Sequence, residues 1–293
     1  MERWGHTMKK DRRKKQWQDL TKDEKRVLKL LEGKTTSEDE IKAVIKALQE
    51  KSPPSQHFYD HTSDMSKDKA ILRLWHPGGG TAYAISYHPQ KWAESLSGGE
   101  KPHICGIGHY HKAEQLFYRN IHIFQTGTFE EQTPFMRRKK LAAMLGGWIL
   151  WINDEEPIGL LGDTHIGSKY FRGDLLEQYY QKAVFEGVKK FYHTGDVVAG
   201  ENMFRGQVYE LSAHGFKAQA QSVIDYYPQW SGVTTYYILG NHDLSFWRTA
   251  GADISNLIDA QREDLVCLGH EEADIQVAST DVKHIKSLLV PFY

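Results

Sequence analysis

The sequence has little cysteine, no long apolar run and almost no net charge, and each shortage removes a class of protein. Two cysteines in 293 residues, Cys105 and Cys267, cannot build a disulfide framework. Both lie in apolar strand-like runs, so they read as buried thiols in a reducing, cytosolic compartment. No apolar stretch approaches the ~18 residues that span a bilayer, so no membrane association is expected. The basic residues near the start are not followed by an apolar segment, so no secretory signal is expected. A net charge of −1 gives no bulk preference for an acidic partner. Apolar and charged fractions of 40% and 26% are those of a globular chain, which excludes disordered and fibrous classes.

The organisation changes along the chain. The first fifteen residues carry seven Lys or Arg, a basic arm that can contact nucleic acid or remain a solvated tail. Residues 21–51 show two helix patterns. They open with the capping boxes Thr21/Glu24 and Ser37/Glu40 and stop at Gly33 and before Pro53-Pro54. This pair fits part of a helix-turn-helix or a helical hairpin on the main domain. Residues 1–52 therefore form an arm and hairpin, 53–69 a polar linker, and 70–293 the main domain. There, apolar strand-like runs (Ala70–Trp75, Ile104–Ile107, Ile121–Thr126, Gly147–Ile152, Ile158–Leu161, Lys190–His193, Thr235–Leu239, Leu265–Leu268) alternate with helix patterns at Gly173–Gly187, Glu210–Tyr226 and Ala252–Arg262. The alternation predicts an α/β fold with ligand sites on loops at strand ends.

Four blocks end strands with metal-binding side chains. These are Asp163-Thr164-His165, Gly195-Asp196, Gly240-Asn241-His242-Asp243 and Gly108-His109-Tyr110-His111. In extended backbone, residues two apart point the same way, so Asp163 and His165 can hold one ion together, and His109 and His111 are again two ligands two residues apart. Imidazole mixed with carboxylate suits Mn, Fe, Zn or related ions rather than calcium. The set is too large for one ion, whereas two ions ~3.5–4 Å apart sharing a carboxylate would use it all.

These blocks resemble the calcineurin-like metallophosphoesterase superfamily, whose pattern is Asp-x-His, Gly-Asp, Gly-Asn-His-Asp/Glu, a separate His, then Gly-His-x-His. The likeness covers about residues 70–277, and the context around residues 76–80, 108–112, 132–137 and 163–170 is similar to phage and prokaryotic members. The resemblance implies a layered β-sandwich of two sheets flanked by helices. It implies two divalent ions (manganese first, with Fe, Zn, Ni or Co as alternatives) and a hydroxide between them that attacks a phosphoester. Carried over residue by residue, Asp163, His165 and His111 hold the first ion, Asp196 bridges, and Asn241, His76 and His109 hold the second. His242 becomes the outer-sphere acid or phosphate-stabilising group, oriented by Asp243. His76 is identified only by its place after a strand and before Gly78-Gly79-Gly80, with His88 and His103 as alternatives. His193 and His214 are expected to be structural or supporting. Lys169, Arg205, Arg137 and Arg138 lie near the blocks and could contact phosphate, or be solvated surface cations.

The order of the blocks departs from the family, because residues 76–111 precede Asp163. Reading 158–277 and then 70–152 restores it, as a circular permutation or a coding sequence cut and rejoined would. The join at residues 153–157 then requires Gly147–Ile152 and Ile158–Leu161 to be antiparallel neighbours. The segment Ala273–Val277 must likewise lie beside Ala70–Trp75. The tail 278–293 matches no element of the pattern. A phosphodiester in DNA or RNA is the first expected substrate, a small nucleotide the second and a phosphoprotein the third. The contrasting expectation is a nucleic-acid-binding or regulatory protein that keeps its metals without turnover.

Overall fold

The computed structural model describes residues 69–292 apart from 81, 98 and 280. The basic arm, the two helix patterns and the linker up to residue 68 lie outside the described residues. Two sheets carry the strands. The first has the order β10-β1-β2-β4-β3, from Glu272–Gln276 (β10), Ile71–Trp75 (β1), Ile104–Ile107 (β2), Ile121–Thr126 (β4) and Ala113–Tyr118 (β3). The second has the order β11-β5-β6-β7-β8-β9, from Ile285–Phe292 (β11), Leu145–Ile152 (β5), Ile158–Leu161 (β6), Lys190–His193 (β7), Thr234–Leu239 (β8) and Leu265–His270 (β9).

Side-chain alternation along the strands builds the layers. Leu72 and Leu74 of β1, Ile104 of β2 and Phe124 of β4 pack with Trp148, Leu150 and Ile152 of β5 and Leu160 of β6, filling the space between the sheets. The opposite register of the second sheet, with Ile149, Leu161, Phe191, Tyr237 and Leu239, is covered by helices. Among these are Gly173–Phe185, Phe216–Tyr226, Ser245–Ala250 and Ile254–Asp259. Cys105, Ile107, Ile121 and Ile123 on the outer face of the first sheet pack on Trp92 and Ala93 of the helix Tyr87–Ser95. The result is the expected α/β architecture of two sheets with helices outside. In chain order the six α-helices among the described residues are α1 (Tyr87–Ser95), α2 (Pro134–Lys139), α3 (Gly173–Phe185), α4 (Phe216–Tyr226), α5 (Ser245–Ala250) and α6 (Ile254–Asp259).

Both strand pairings that the block order requires are present. β5 and β6 are antiparallel neighbours with Trp148 opposite Leu160, and β1 pairs antiparallel with β10 with Leu72 opposite Ile275. The chain passes from one sheet to the other at Glu271, whose φ of 59° makes the corner between β9 and β10. Its N–H donates to the Leu239 carbonyl at the tip of β8 (2.8 Å), and its carbonyl accepts the His76 N–H after β1 (2.7 Å). One peptide corner thus ties two motif-bearing strand tips together.

Some elements differ from expectation. The unassigned tail forms β11, paired along its length with β5 from Ile285–Ile152 to Phe292–Leu145. The sequence pattern also missed β3, α1 and α2. The helix expected from Glu210 starts only at Phe216, because Gly215 adopts a φ of 85° just before it and residues 210–215 form a loop after the 3-10 turn at Gln207–Tyr209. Cys105 is buried as expected, while Cys267 is partly exposed. No helix among the described residues is long and apolar enough to cross a membrane. Val290 and Phe292 pack on the helix-side core and Leu289 on the inter-sheet core. Removing Ile285–Phe292 is therefore expected to lower unfolding stability by about 3–5 kcal/mol, read as a fall in urea midpoint; an unchanged midpoint would mean that the strand adds nothing.

Candidate metal centre

The candidate ligands all follow strand tips, at the carboxyl ends of β1, β2, β6, β7 and β8, where parallel pairing sets the tips side by side. Beyond each tip the chain turns sharply. Asp163, His165, Asp196, His109 and His111 have φ of 51°, 48°, 55°, 76° and 53°. Left-handed backbone is costly for residues with a side chain and concentrates at functional sites. The convergence of Asp163 with His165 therefore comes from consecutive left-handed turns and not from the extended alternation expected of the sequence. Neighbouring tips hold these turns through backbone bonds. Asp163 N–H donates to Gly195 O and His165 N–H to Asp196 O, both at 3.0 Å.

Three groups of donor atoms result, each within 4.8 Å internally: His76, His109 and Asp196; His111, Asp163 and His165; and His165, Asp196 and His242, which joins the other two. In the first, His76 Nε2 lies 3.1 Å from Asp196 Oδ2 and 3.0 Å from Asn241 Oδ1, with His109 Nδ1 2.9 Å from the same Asn241 oxygen. In the second, His111 Nε2 is 3.0 Å from His165 Nε2 and 3.5 Å from Asp163 Oδ1. Asp196 Oδ2 stands 3.9 Å from both His165 Nε2 and His242 Nε2, which places this carboxylate between the groups. Thus all seven expected ligands and His242 meet. His88 stacks on Tyr110 and His103 pairs with Asp281, so neither alternative to His76 joins them. His214 is exposed and outside the groups; His193 is buried, accepts the Gly195 N–H and bonds Thr164, supporting the turns.

The imidazoles are fixed by their spare nitrogens. His76 Nδ1 donates to the Thr194 carbonyl (2.7 Å), His109 Nε2 to Gly79 O (2.8 Å) and His242 Nδ1 to Ala199 O (2.6 Å). Each bond turns the other ring nitrogen toward the cluster, the usual way a carbonyl orients a metal-binding histidine. Burial pushes His111 down to about 3 and His165 well below the ordinary range, so both are uncharged at neutral pH. Burial also opposes charge on Asp196, but His76 and His242 hold its carboxyl well below the usual range. His76 is raised to about 10, with Asp196 overcoming burial. Imidazole nitrogens and a carboxylate oxygen 3–4 Å apart, with His76 giving up its proton, fit donors around divalent ions bound at ~2.0–2.2 Å. The residues present therefore fit the ions that the resemblance implies.

Asp243 does not orient His242. It is buried and accepts the N–H groups of Val198 (2.8 Å), Gly240 (2.9 Å) and Val197 (3.2 Å), tying the β8 tip to the β7 tip. The Ala199 carbonyl holds His242 instead, and Gln207 Nε2 donates to the same oxygen at 2.8 Å. The four cations expected at phosphate also lie elsewhere. Arg137, Arg138, Lys169 and Arg205 are exposed, and none lines the cleft of about 430 Å³ that opens beside the cluster. Met136 is the α2 residue turned inward, and this directs Arg137 and Arg138 to solvent. Lys139 lines the cleft in their place, together with Glu130, Ser168 and Glu210, which carry no motif signal.

Gly240 permits a close approach, since a Cβ there would collide with Asp196 Oδ1. Gly240→Ala is expected to weaken Mn²⁺ binding about tenfold or more, measured by calorimetry on folded protein; unchanged affinity would separate this tip from the metal centre. Glu130 gives a pH prediction. Burial, with Glu210 and Asp196 nearby, pushes its carboxyl from 4.5 up to about 8. The native state then keeps a proton that the unfolded chain has lost, so Glu130 costs stability increasingly from pH 4.5 to 8. Glu130→Gln is expected to stabilise the metal-free protein by up to a few kcal/mol, with the gain growing over that window. A pH-independent difference in urea midpoint would contradict it.

Comparison with known proteins adds one match. No curated protein matches the chain. The family model matches a stretch holding Asp163, His165, Asp196, Asn241 and His242, while His76, His109 and His111 fall outside it yet reach the same site. Residues 156–276 match the model of the calcineurin-like phosphoesterase family, which with the donor groups supports a metal-dependent phosphoesterase.

Proposed function

We propose that the chain hydrolyses phosphodiesters, in nucleotides or nucleic acid, at a centre of two divalent ions. Asp163, His165 and His111 hold one ion, Asn241, His76 and His109 the other, and Asp196 is shared. The observation that carries this reading is the convergence of the donor groups on one buried carboxylate. When bound, the ions supply Lewis-acid stabilisation of charge on phosphoryl oxygens and acidify water. The chain's own residues do the rest. Thr194, Gly79 and Ala199 orient three imidazoles through their carbonyls. His242, with Nδ1–H on Ala199 O, presents Nε2 to the cleft, where it can stabilise the phosphate or pass a proton to the leaving oxygen.

The cleft favours a diester over a monoester. Lys139 is the single Lys or Arg among the described residues that line it, a sparse complement for a dianion but sufficient beside two metals for a singly charged diester. Manganese suits the mixed nitrogen and oxygen donors and is proposed as the native ion.

We further read the block order as a circular permutation of a phage- or prokaryote-type relative acting in the cytoplasm. The β5–β6 and β1–β10 pairings support the permutation, because they supply the join and the neighbours it needs.

Mn²⁺-dependent hydrolysis of bis(p-nitrophenyl) phosphate, exceeding that of p-nitrophenyl phosphate, is expected. Asp196→Ala should reduce kcat/KM by about 10³-fold or more, as loss of a group shared by both ions would. Turnover unaffected by chelation or by Asp196→Ala would refute the two-metal reading.

A further inference from the structure

The cleft continues past the metal-binding side chains into a region with its own chemistry. Phe135 and Phe204 stack there with ring centroids 4.0 Å apart and planes 17° from parallel, forming an aromatic wall. Two carboxylates line the same cavity. Glu210 comes from the turn ending the 3-10 segment, and Glu130 from the loop after β4. Both are more than nine-tenths buried, at 8% and 7% exposure.

The hydrogen bonding of Glu210 is incomplete among the described residues. Glu210 Oε1 accepts the Phe135 N–H at 3.2 Å, whereas Glu210 Oε2 is buried and has no partner. A buried carboxylate oxygen without a donor costs about 1–3 kcal/mol, and such groups are rare enough in folded proteins to need a reason. The bonds of its described polar neighbours are directed elsewhere. Thr133 Oγ1 accepts the Met136 N–H, and both ends of the Gln207 amide are bonded, to Ala199 O and Met203 N–H. Ser168 bonds Glu130 and accepts the Tyr170 N–H. No donor among the described residues reaches Glu210 Oε2, which leaves it open to a donor entering the cleft.

We infer that this part of the cleft is a recognition subsite for an uncharged, hydrogen-bond-donating substituent of the phosphoester, such as a ribose or a nucleoside, with Glu210 Oε2 as its principal acceptor. The inference rests on the phosphodiesterase reading for the origin of that substituent. The Glu210 carboxylate repels further phosphate, so a polyanion continuing through the subsite is disfavoured by like charge. The aromatic wall supplies apolar area against a sugar face or a base. A cavity of about 430 Å³ falls within the ~300–1,000 Å³ typical of small-molecule sites. Glu130, pushed up to about 8 by burial and its acidic neighbours, can present a protonated carboxyl as well.

Binding without turnover tests the subsite. Adenosine and ribose are titrated by calorimetry into the Mn²⁺-treated full chain, its Glu210→Gln variant and its Glu130→Gln variant, with inorganic phosphate as the probe of the metal region. Glu210→Gln keeps an acceptor for Phe135 N–H but turns an amide donor into the cleft. It should weaken adenosine binding about tenfold, the 1.4 kcal/mol equivalent of one lost hydrogen bond to a charged group, and leave phosphate affinity unchanged. Ribose binding equal in its Glu210 dependence would assign recognition to the sugar; adenosine binding alone would assign it to the base. Equal adenosine affinity in parent and Glu210→Gln, or no binding of either probe to the parent, would overturn the inference. If Glu210→Gln does not fold, the Glu130→Gln variant decides, with a loss of adenosine affinity expected and an unchanged affinity overturning. Parallel assays on bis(p-nitrophenyl) phosphate separate the two proposals. Glu210-dependent adenosine binding without hydrolysis keeps the subsite and rejects the enzyme reading; hydrolysis without such binding does the reverse.

Discussion

Asp196 is the group around which the other polar side chains are arranged. Its Oδ1 accepts the His242 N–H at 2.8 Å, and its Oδ2 faces His76 at 3.1 Å with His165 and His242 further out. A buried carboxylate cannot stay ionised without compensation. In the metal-free protein His76 supplies it, which is why the two are displaced in opposite directions, His76 to about 10 and Asp196 well below its ordinary range. A divalent ion on either side would take over that role and release the His76 proton, so cation binding and proton loss are linked through this one side chain.

Such an arrangement demands that distant chain segments arrive in register, and the backbone provides it through few contacts. Glu271 bonds the tips of β8 and β1, bringing Asn241 to His76. The Asp163 carboxylate accepts the His109 N–H with both oxygens at 2.9 Å, bringing the β6 loop to the β2 loop. Asp243 receives amides from the β7 and β8 loops. A carboxylate that holds neighbouring backbone at a strand tip is structural cement for the turn, and that explains an acidic residue after His242 without any contact to its ring. None of these contacts depends on the order in which the strands occur along the chain. That independence is the physical reason a rearranged block order is compatible with an assembled site.

The residues that bear metal-binding atoms were legible because their types are costly to place together for any other purpose, and strand-ending runs such as Leu160-Leu161 and Ile238-Leu239 located them on loops. His76 was legible only by position, since one histidine after a strand carries little information. The strands with both faces covered were also readable as apolar runs. Less so were β3, whose Glu114 and Gln115 interrupt the run, and β11, where Lys286, Ser287 and Pro291 dilute the pattern; both are edge strands with one side of the ladder unpaired. The cleft was not legible at all. Glu130 and Glu210 are eighty residues apart in irregular segments, and only the three-dimensional path of the loops brings them to one cavity. Arg137 and Arg138 stand on the solvent side for the same reason, because proximity in sequence says nothing about which side of α2 meets the site.

Stability argues from a different direction that the cleft and the cluster form one device. Five non-glycine residues at the strand tips occupy left-handed backbone, each at a cost of about 1 kcal/mol or more. To these are added the buried Glu130 and the partnerless Glu210 oxygen. The strands that carry these residues are otherwise consistent, with alternating burial, close inter-sheet packing and few orphaned polar atoms. Five of the twelve described non-glycine residues in left-handed backbone lie at these tips, and four of those five, His109, His111, His165 and Asp196, line one cavity with His242 and Glu210. A fold that holds its strained turns and its unsatisfied acceptor in one place keeps them for a ligand that spans both, charged at the metal end and hydrogen-bond-donating at the other.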